Sequence, residues 1–137
     1  MPDYAEATIA AALAAIAFDR DGLVPAIAQQ HDTGEVLMVA WMNRAAVEAT
    51  LREGRAVYWS RSRLRLWRKG ESSGQTQALV GFSIDCDGDT LLLAVDQRGV
   101  ACHTGRRSCF FRRLGPDGLE TVLDVIRDPD ELYGKGA

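Results

Sequence analysis

Three cysteines, Cys86, Cys102 and Cys109, are separated by fifteen and six residues and fall within about a fifth of the chain. An odd number makes a poor disulfide framework, and such clustering in a reducing compartment points to metal binding or catalysis. A structural zinc site takes four protein ligands. Three ligands with an open fourth position is the catalytic arrangement, in which bound water ionises near neutral pH. The sequence offers two histidines, His31 and His103, and no Cys-x-x-Cys pair. The other reading of the cysteines is that they are small buried hydrophobes.

Cys86 stands inside Asp85-Cys86-Asp87-Gly88-Asp89. Three carboxylates so close repel one another unless solvent or a hard cation relieves them. In an extended strand Asp85, Asp87 and Asp89 would share one face and Cys86 the other, setting an oxygen-ligated ion beside a sulfur-ligated one. A solvated acidic turn is the alternative. His103 adjoins Cys102 and is either a proton shuttle, its ordinary pKa being near neutrality, or a structural histidine.

The strongest positive charge runs from Ser60 to Lys69, with Arg61, Arg63, Arg65, Arg68 and Lys69 around Trp67. Arginine forks match phosphate oxygens, and tryptophan stacks on purines. If the run stays extended, Arg61, Arg63 and Arg65 share a face. It reads as a small-molecule phosphate cradle, as an RNA-binding strand, or as a solvated basic edge that discourages sheet pairing. The net charge of −3 tips the choice away from RNA and from a membrane surface.

These groups need a scaffold, and 137 residues suit one domain. The Ala-rich start predicts an amphipathic helix over 5–18, too short to span a bilayer. An acidic beginning is unlike a secretory signal, so a cytoplasmic location is expected. Leu23 to Gln29 reads as a strand carrying an edge-tolerated proline, Pro25, and Val36 to Met42 as its hairpin partner across Asp32-Thr33-Gly34-Glu35. Asn43 and Gly54 bracket a short central helix over 44–53. Strands follow at 56–59, 64–67, 77–84 and 91–95, the last two joined through Asp87-Gly88-Asp89. A Pro-Asp-Gly turn and a short helix over 119–127 complete a tail at 115–137. The expected class is α+β, a β-rich single domain.

Taken in order, several blocks resemble the phosphoribosyl-AMP cyclohydrolase family. They are Gly22-Leu23-Val24-Pro25-Ala26, Gly34-Glu35-Val36-Leu37-Met38, Trp41-Met42-Asn43, Tyr58-Trp59-Ser60-Arg61-Ser62, Leu66-Trp67-Arg68-Lys69-Gly70-Glu71, Asp85-Cys86-Asp87-Gly88-Asp89, and Cys102-His103-Thr104-Gly105-Arg106-Arg107-Ser108-Cys109-Phe110. The likeness covers residues 22–113, about two-thirds of the chain, and the last two blocks are its most specific part.

The resemblance implies a zinc-dependent hydrolase that opens the adenine ring of phosphoribosyl-AMP at N1–C6 with zinc-activated water, the third step of histidine biosynthesis. It implies an intertwined homodimer with the metal site at the subunit interface. Cys86 from the partner subunit, Cys102 and Cys109 would then hold zinc, and Asp85, Asp87 and Asp89 magnesium. His103 would serve in proton transfer. Arg61, Arg63, Trp67, Lys69, Ser72 and Arg106 are the candidates for substrate binding. Gln75 stands where the family often has histidine or asparagine, and it receives no catalytic role because glutamine is a poor base. Some members carry a fused pyrophosphohydrolase domain; the 24 residues after Arg113 are too few for one, so a monofunctional chain is expected. The alternatives are a zinc-stabilised binding module without catalysis, marked by a fourth protein ligand, and an RNA-binding domain using the basic segment.

Overall fold

A computed structural model describes residues 3–133. Its elements are α1 (Glu6–Ala15), β1 (Val24–Gln30), β2 (Val36–Met42), α2 (Arg44–Glu53), β3 (Val57–Ser60), β4 (Arg65–Arg68), β5 (Gln77–Ile84), β6 (Leu91–Gln97), β7 (Arg112–Gly115), β8 (Gly118–Thr121) and α3 (Pro129–Tyr133). The α+β, β-rich class read from the sequence is the observed one. Both ends of the chain, including 134–137 of the expected tail, lie outside the described residues.

A four-stranded sheet ordered β2-β1-β6-β5 is the backbone of the fold. β1 runs antiparallel to β2 and parallel to β6, and β5 pairs antiparallel with β6. Burial alternates along β1, as the period-two geometry of a strand covered on one face requires. The inner face carries Val24, Ala26, Ala28, Leu91, Leu93 and Val95. It joins one buried cluster with Ile9 and Leu13 of α1, Ala46, Val47 and Leu51 of α2, and Tyr58 of β3. Two further hairpins, β3–β4 and β7–β8, stand apart from the main sheet.

The central helix matches its sequence signals. The Asn43 side chain accepts a hydrogen bond from Ala46 N at 2.9 Å, and Gly54 closes the helix at φ +70° with its N–H on Thr50 O. α1 is shorter than expected and its outer face is alanine rather than polar, so only Ile9 and Leu13 within it are buried.

Three expectations are corrected. β1 is an interior strand, and Pro25 is tolerated because the ladder to β6 begins one residue later, at Ala26. The basic run is not extended: residues 61–64 form the turn of the β3–β4 hairpin, with Leu64 at φ +53°. The tail has no helix over 119–127. Gly118–Thr121 is strand, folded back on Arg112–Gly115 across Pro116-Asp117, and helix appears only at Pro129–Tyr133. The Pro-Asp-Gly turn was legible; the apolar residues after it, Leu119 and Val122 among them, mimic a helical period at a site where the hairpin ladder takes the backbone.

Candidate functional site

The loop from Val100 to Cys109 follows β6 and is closed by its own backbone. Ala101 N donates to Arg107 O and Cys102 N to Arg106 O, while Gly105 N donates to Cys102 O. Gly105 is at φ +86°, and a Cβ there would lie on the carbonyl oxygen of Arg127, so glycine is required for the tail to pack against this loop. The far end is pinned to β2: Cys109 N donates to Leu37 O at 2.7 Å and Ser108 Oγ to Val36 O at 2.7 Å. Arg107 reaches the carbonyls of Gln97 and Gly99 and pairs with Glu35 at 3.3 Å.

A buried chain of polar groups holds the start of the same loop. Tyr58 OH donates to Gln77 Oε1 (2.7 Å), Gln77 Nε2 to Gln97 Oε1 (2.8 Å), and Gln97 Nε2 to the carbonyls of Arg98 and Val100. Gln75 Oε1 accepts from Val100 N at 3.0 Å.

The loop brings two of the three cysteines together. Cys102 is buried at 3% exposure, and Cys109, exposed as a residue, lies close enough on the same loop for the Cys102 thiol to raise its pKa. Burial, then the Cys102 thiol, pushes the Cys109 thiol up to about 12, with Lys69 acting in the opposite sense. Cys102 Sγ also lies 3.1 Å from Thr104 Oγ1. Lys69 is buried and donates to Ala101 O at 2.7 Å.

Cys86 is elsewhere. It is exposed in the β5–β6 turn, beyond the opposite end of β6 from Cys102. Seven strand residues at about 3.3 Å each put the two ends of that strand roughly 20 Å apart. Asp85, Asp87 and Asp89 do converge, with carboxylate oxygens within 4.8 Å of one another, the single such group of three potential ligand side chains among the described residues. They converge through a turn rather than an extended face: Asp85 Oδ1 accepts from Asp89 N and Thr90 N, curling the backbone round it. Hydrogen bonds with Asp87 and Asp85 and their like charge raise the Asp89 carboxyl to about 6.

Next to the cysteine loop, which Lys69 joins at Ala101 O, is an open cleft of about 230 Å³ lined by Arg63, Trp67, Lys69, Ser72, Ser73 and Tyr133, among others. Four of the six substrate-binding candidates therefore meet there. Arg61 and Arg106 do not. Arg61 lies over the Trp41 ring at 4.7 Å, and Arg106 packs on Phe111 at 4.0 Å while donating to Leu123 O. Arg65 and Arg68 are partly neutralised by Glu71 and Glu53. His103 is exposed and makes no side-chain hydrogen bond among the described residues. Tyr133 was missed in the sequence; nothing in its local pattern marks it, since only the returning tail carries it into the cleft. Burial, then the thiols, raises its hydroxyl's pKa, against a bond with Ser73.

The family model described as phosphoribosyl-AMP cyclohydrolase matches residues 38–111, from β2 through the cysteine loop. The chain belongs to that family. Relatives named phosphoribosyl-AMP cyclohydrolase include one from Rhodospirillum rubrum, 66% identical over 93% of this chain and 90% of its own length. Another, from Alkalilimnicola ehrlichii, is 67% identical over 90% of this chain and 87% of the relative. A third, from Chromohalobacter salexigens, is 68% identical over 83% and 78%. The match takes in the thiol loop, the acidic turn and the cleft's β4 wall of this phosphoribosyl-AMP cyclohydrolase family member.

Proposed function

We propose that this chain hydrolyses phosphoribosyl-AMP at the N1–C6 bond, the third step of histidine biosynthesis, as a cytoplasmic homodimer. In it, Cys102 and Cys109 of one subunit and Cys86 of the other hold zinc, and Asp85, Asp87 and Asp89 hold magnesium. The observation that carries this reading is the closed loop that holds Cys102 and Cys109 together and is bonded through Lys69 to a basic, aromatic cleft, with Cys86 beyond the far end of β6 in the same chain.

The donor sets suit the two ions. Thiols are soft ligands that zinc takes as thiolates, the cation displacing the proton that burial favours on Cys109. The acidic turn is all oxygen, suited to a hard cation, and its mutual repulsion is what such an ion relieves. Several apolar side chains on the outer face of the sheet, Val39, Leu92 and Val80, are exposed, with Ile27 beside the first two in register. Such a face on a second copy would supply the contact that brings in Cys86.

When bound, zinc on three thiolates supplies a water of lowered pKa, and magnesium supplies charge against phosphate. Trp67 offers a ring face to the adenine, and Arg63 and Ser72 offer donors to phosphate. Alkylation at N1 makes C6 an electrophilic, amidinium-like carbon. Water adds there, N6 stays as the carboxamide nitrogen, and N1 leaves with a proton, for which His103 is the candidate carrier. No helix among the described residues is long and apolar enough to cross a membrane. The enzyme name of the relatives weighs against a binding module without catalysis, and the paired, bent basic run against an RNA-binding strand.

The test is an ultraviolet assay of ring opening on phosphoribosyl-AMP, before and after chelation and zinc add-back. Turnover abolished by chelator and restored by zinc is the expected result. No turnover from a folded, zinc-loaded dimer would sink the reading and leave the binding module as its replacement.

A further inference from the structure

Lys69 is a cation at 7% exposure. None of the ion pairs among the described residues includes it, although Arg65 and Arg68 nearby both have carboxylate partners. Its backbone is fixed on both sides: Lys69 N donates to Ala56 O, and Lys69 O accepts from Arg55 Nη2. Its Nζ donates to Ala101 O at 2.7 Å, one residue before Cys102, and lies 5.9 Å from the centre of the Trp67 ring. A buried ammonium without an anion is unfavourable, so it is normally paired or neutralised. Burial does lower its proton affinity, and the charges that counter this are those of Cys109 and Cys102.

We propose that Lys69 is a positioning residue of the metal centre, its ammonium acting as the counter-charge to the Cys102 and Cys109 thiolates while its bond to Ala101 O fixes the Cys102 end of the loop. This rests on the zinc reading above and goes beyond it. A divalent ion on three thiolates carries a net charge of −1, and one buried ammonium neutralises it. A lysine placed to grip phosphate would present its donors outward, whereas this one spends a donor on an internal carbonyl next to a thiol. The charge pattern of the segment made Lys69 look like one more phosphate ligand. Its burial separates it from Arg63, which is exposed in the same cleft.

The experiment compares Lys69→Gln, Lys69→Met and Lys69→Arg with the wild-type protein. Zinc affinity is read by competition with a chromogenic chelator, folding by circular dichroism, and KM on zinc-saturated enzyme. Glutamine keeps an N–H donor on a side chain one bond shorter while losing the charge. Lys69→Gln and Lys69→Met are expected to weaken zinc binding roughly ten- to hundredfold, the usual effect of losing a group that supports metal ligands. Lys69→Arg should keep most of the affinity, and KM should change little. If Lys69→Met does not fold, Lys69→Gln decides. Wild-type zinc affinity in a folded Lys69→Gln protein with a raised KM would overturn the proposal and make Lys69 a phosphate ligand. Equal loss in the glutamine and arginine variants would overturn it too, because charge would not be the cause. Failure of the wild-type protein to bind zinc would be a different result, removing the metal reading itself and this inference with it.

Discussion

Cys86 and Cys102 lie beyond opposite ends of β6, the strand that runs from the acidic turn to the thiol loop. A central sheet strand is too stiff to fold its ends together, so in the proposed zinc site Cys86 of the same chain could join Cys102 and Cys109 only at the expense of the β1–β6 and β5–β6 ladders. A site shared between copies keeps both. Mixing Cys86→Ser protein with Cys109→Ser protein, each inactive alone, is therefore expected to restore activity. In a heterodimer one site collects both lesions and the other none. Random reassortment thus gives about a quarter of wild-type activity for a twofold-symmetric dimer. Recovery is measured after refolding the mixture, with heterodimers counted by mass spectrometry. No recovery in the presence of heterodimers would rule out sharing.

Arg63 and Arg106 belong to one expectation and part company in the structure. Arg63 lines the cleft and makes no ion pair among the described residues; Arg106 is occupied by Leu123 O and the Phe111 ring. Arg63→Ala should raise KM for phosphoribosyl-AMP by roughly ten- to hundredfold, the loss of about 1.5–3 kcal/mol from a charge-assisted hydrogen bond. Arg106→Ala should leave KM within a few fold and instead make the tail after residue 111 more sensitive to protease. Steady-state kinetics and limited proteolysis separate the two, and a reversed pattern would place the phosphate near the tail.

The elements were largely legible because local chemistry and tertiary demand agree in them. Asn43 and Gly54 bracket α2 where the sequence places them, and Val36–Met42 and Gln77–Ile84 are strands over the read limits. Legibility failed in the tail, where a local ladder overrode an apparent helical period, and where long-range packing decides. The tail hairpin forms by its own ladder, and Tyr133 reaches the cleft only because 122–128 lies against Gly105, a contact between residues some twenty positions apart. The cysteines were legible as a set by type. Their division into a close pair and a distant third is a property of the sheet order, which no spacing encodes. Gln77 and Gln97 read as ordinary strand polar residues, and their buried link from Tyr58 to the thiol loop was invisible.

That link is testable at its outer end. Tyr58 is fully buried, and its hydroxyl is the donor to Gln77 Oε1. Tyr58→Phe leaves the ring packing intact and strands a buried acceptor, at about 1–3 kcal/mol. Urea unfolding should show that loss with an unchanged slope. A neutral result would mean that water or a shifted Gln77 satisfies the oxygen.

The acidic turn is fitted against the end of α1 by a glycine. Gly88 is at φ +79°, its carbonyl accepts from Ala17 N at 2.8 Å, and a Cβ there would stand 2.5 Å from Ala15 O. Gly22 has a similar φ, +76°, with nothing within 4 Å of the corresponding Cβ position. Gly22→Ala thus measures backbone strain alone, about 1 kcal/mol, while Gly88→Ala adds a clash with backbone that no rotamer change relieves. The expected order in thermal melts is wild type, then Gly22→Ala, then Gly88→Ala well below. Equal melting temperatures for the two variants would show that α1 moves freely from the turn.

The β3–β4 hairpin is tied to the end of α2 by a two-pronged pair, Arg68 Nε and Nη2 each 2.7 Å from a Glu53 oxygen. The Arg68 hydrogen bonds, with its charge adding to them, hold the Glu53 carboxyl below its usual range. A carboxylate with a depressed folded pKa binds fewer protons folded than unfolded. Its stabilisation is therefore fully present above the ordinary value of 4.5 and is lost as pH falls through the lowered folded value. Because both side chains are about a third exposed, the pair is worth only about 0.2–1 kcal/mol at neutral pH. Glu53→Gln should lower stability by that amount at pH 7 and by nothing once the wild-type carboxyl is protonated, so the two stability curves converge on the acid side. Urea denaturation from pH 3 to pH 7 in low salt measures it, and parallel curves across that range would mean the pair contributes no stability.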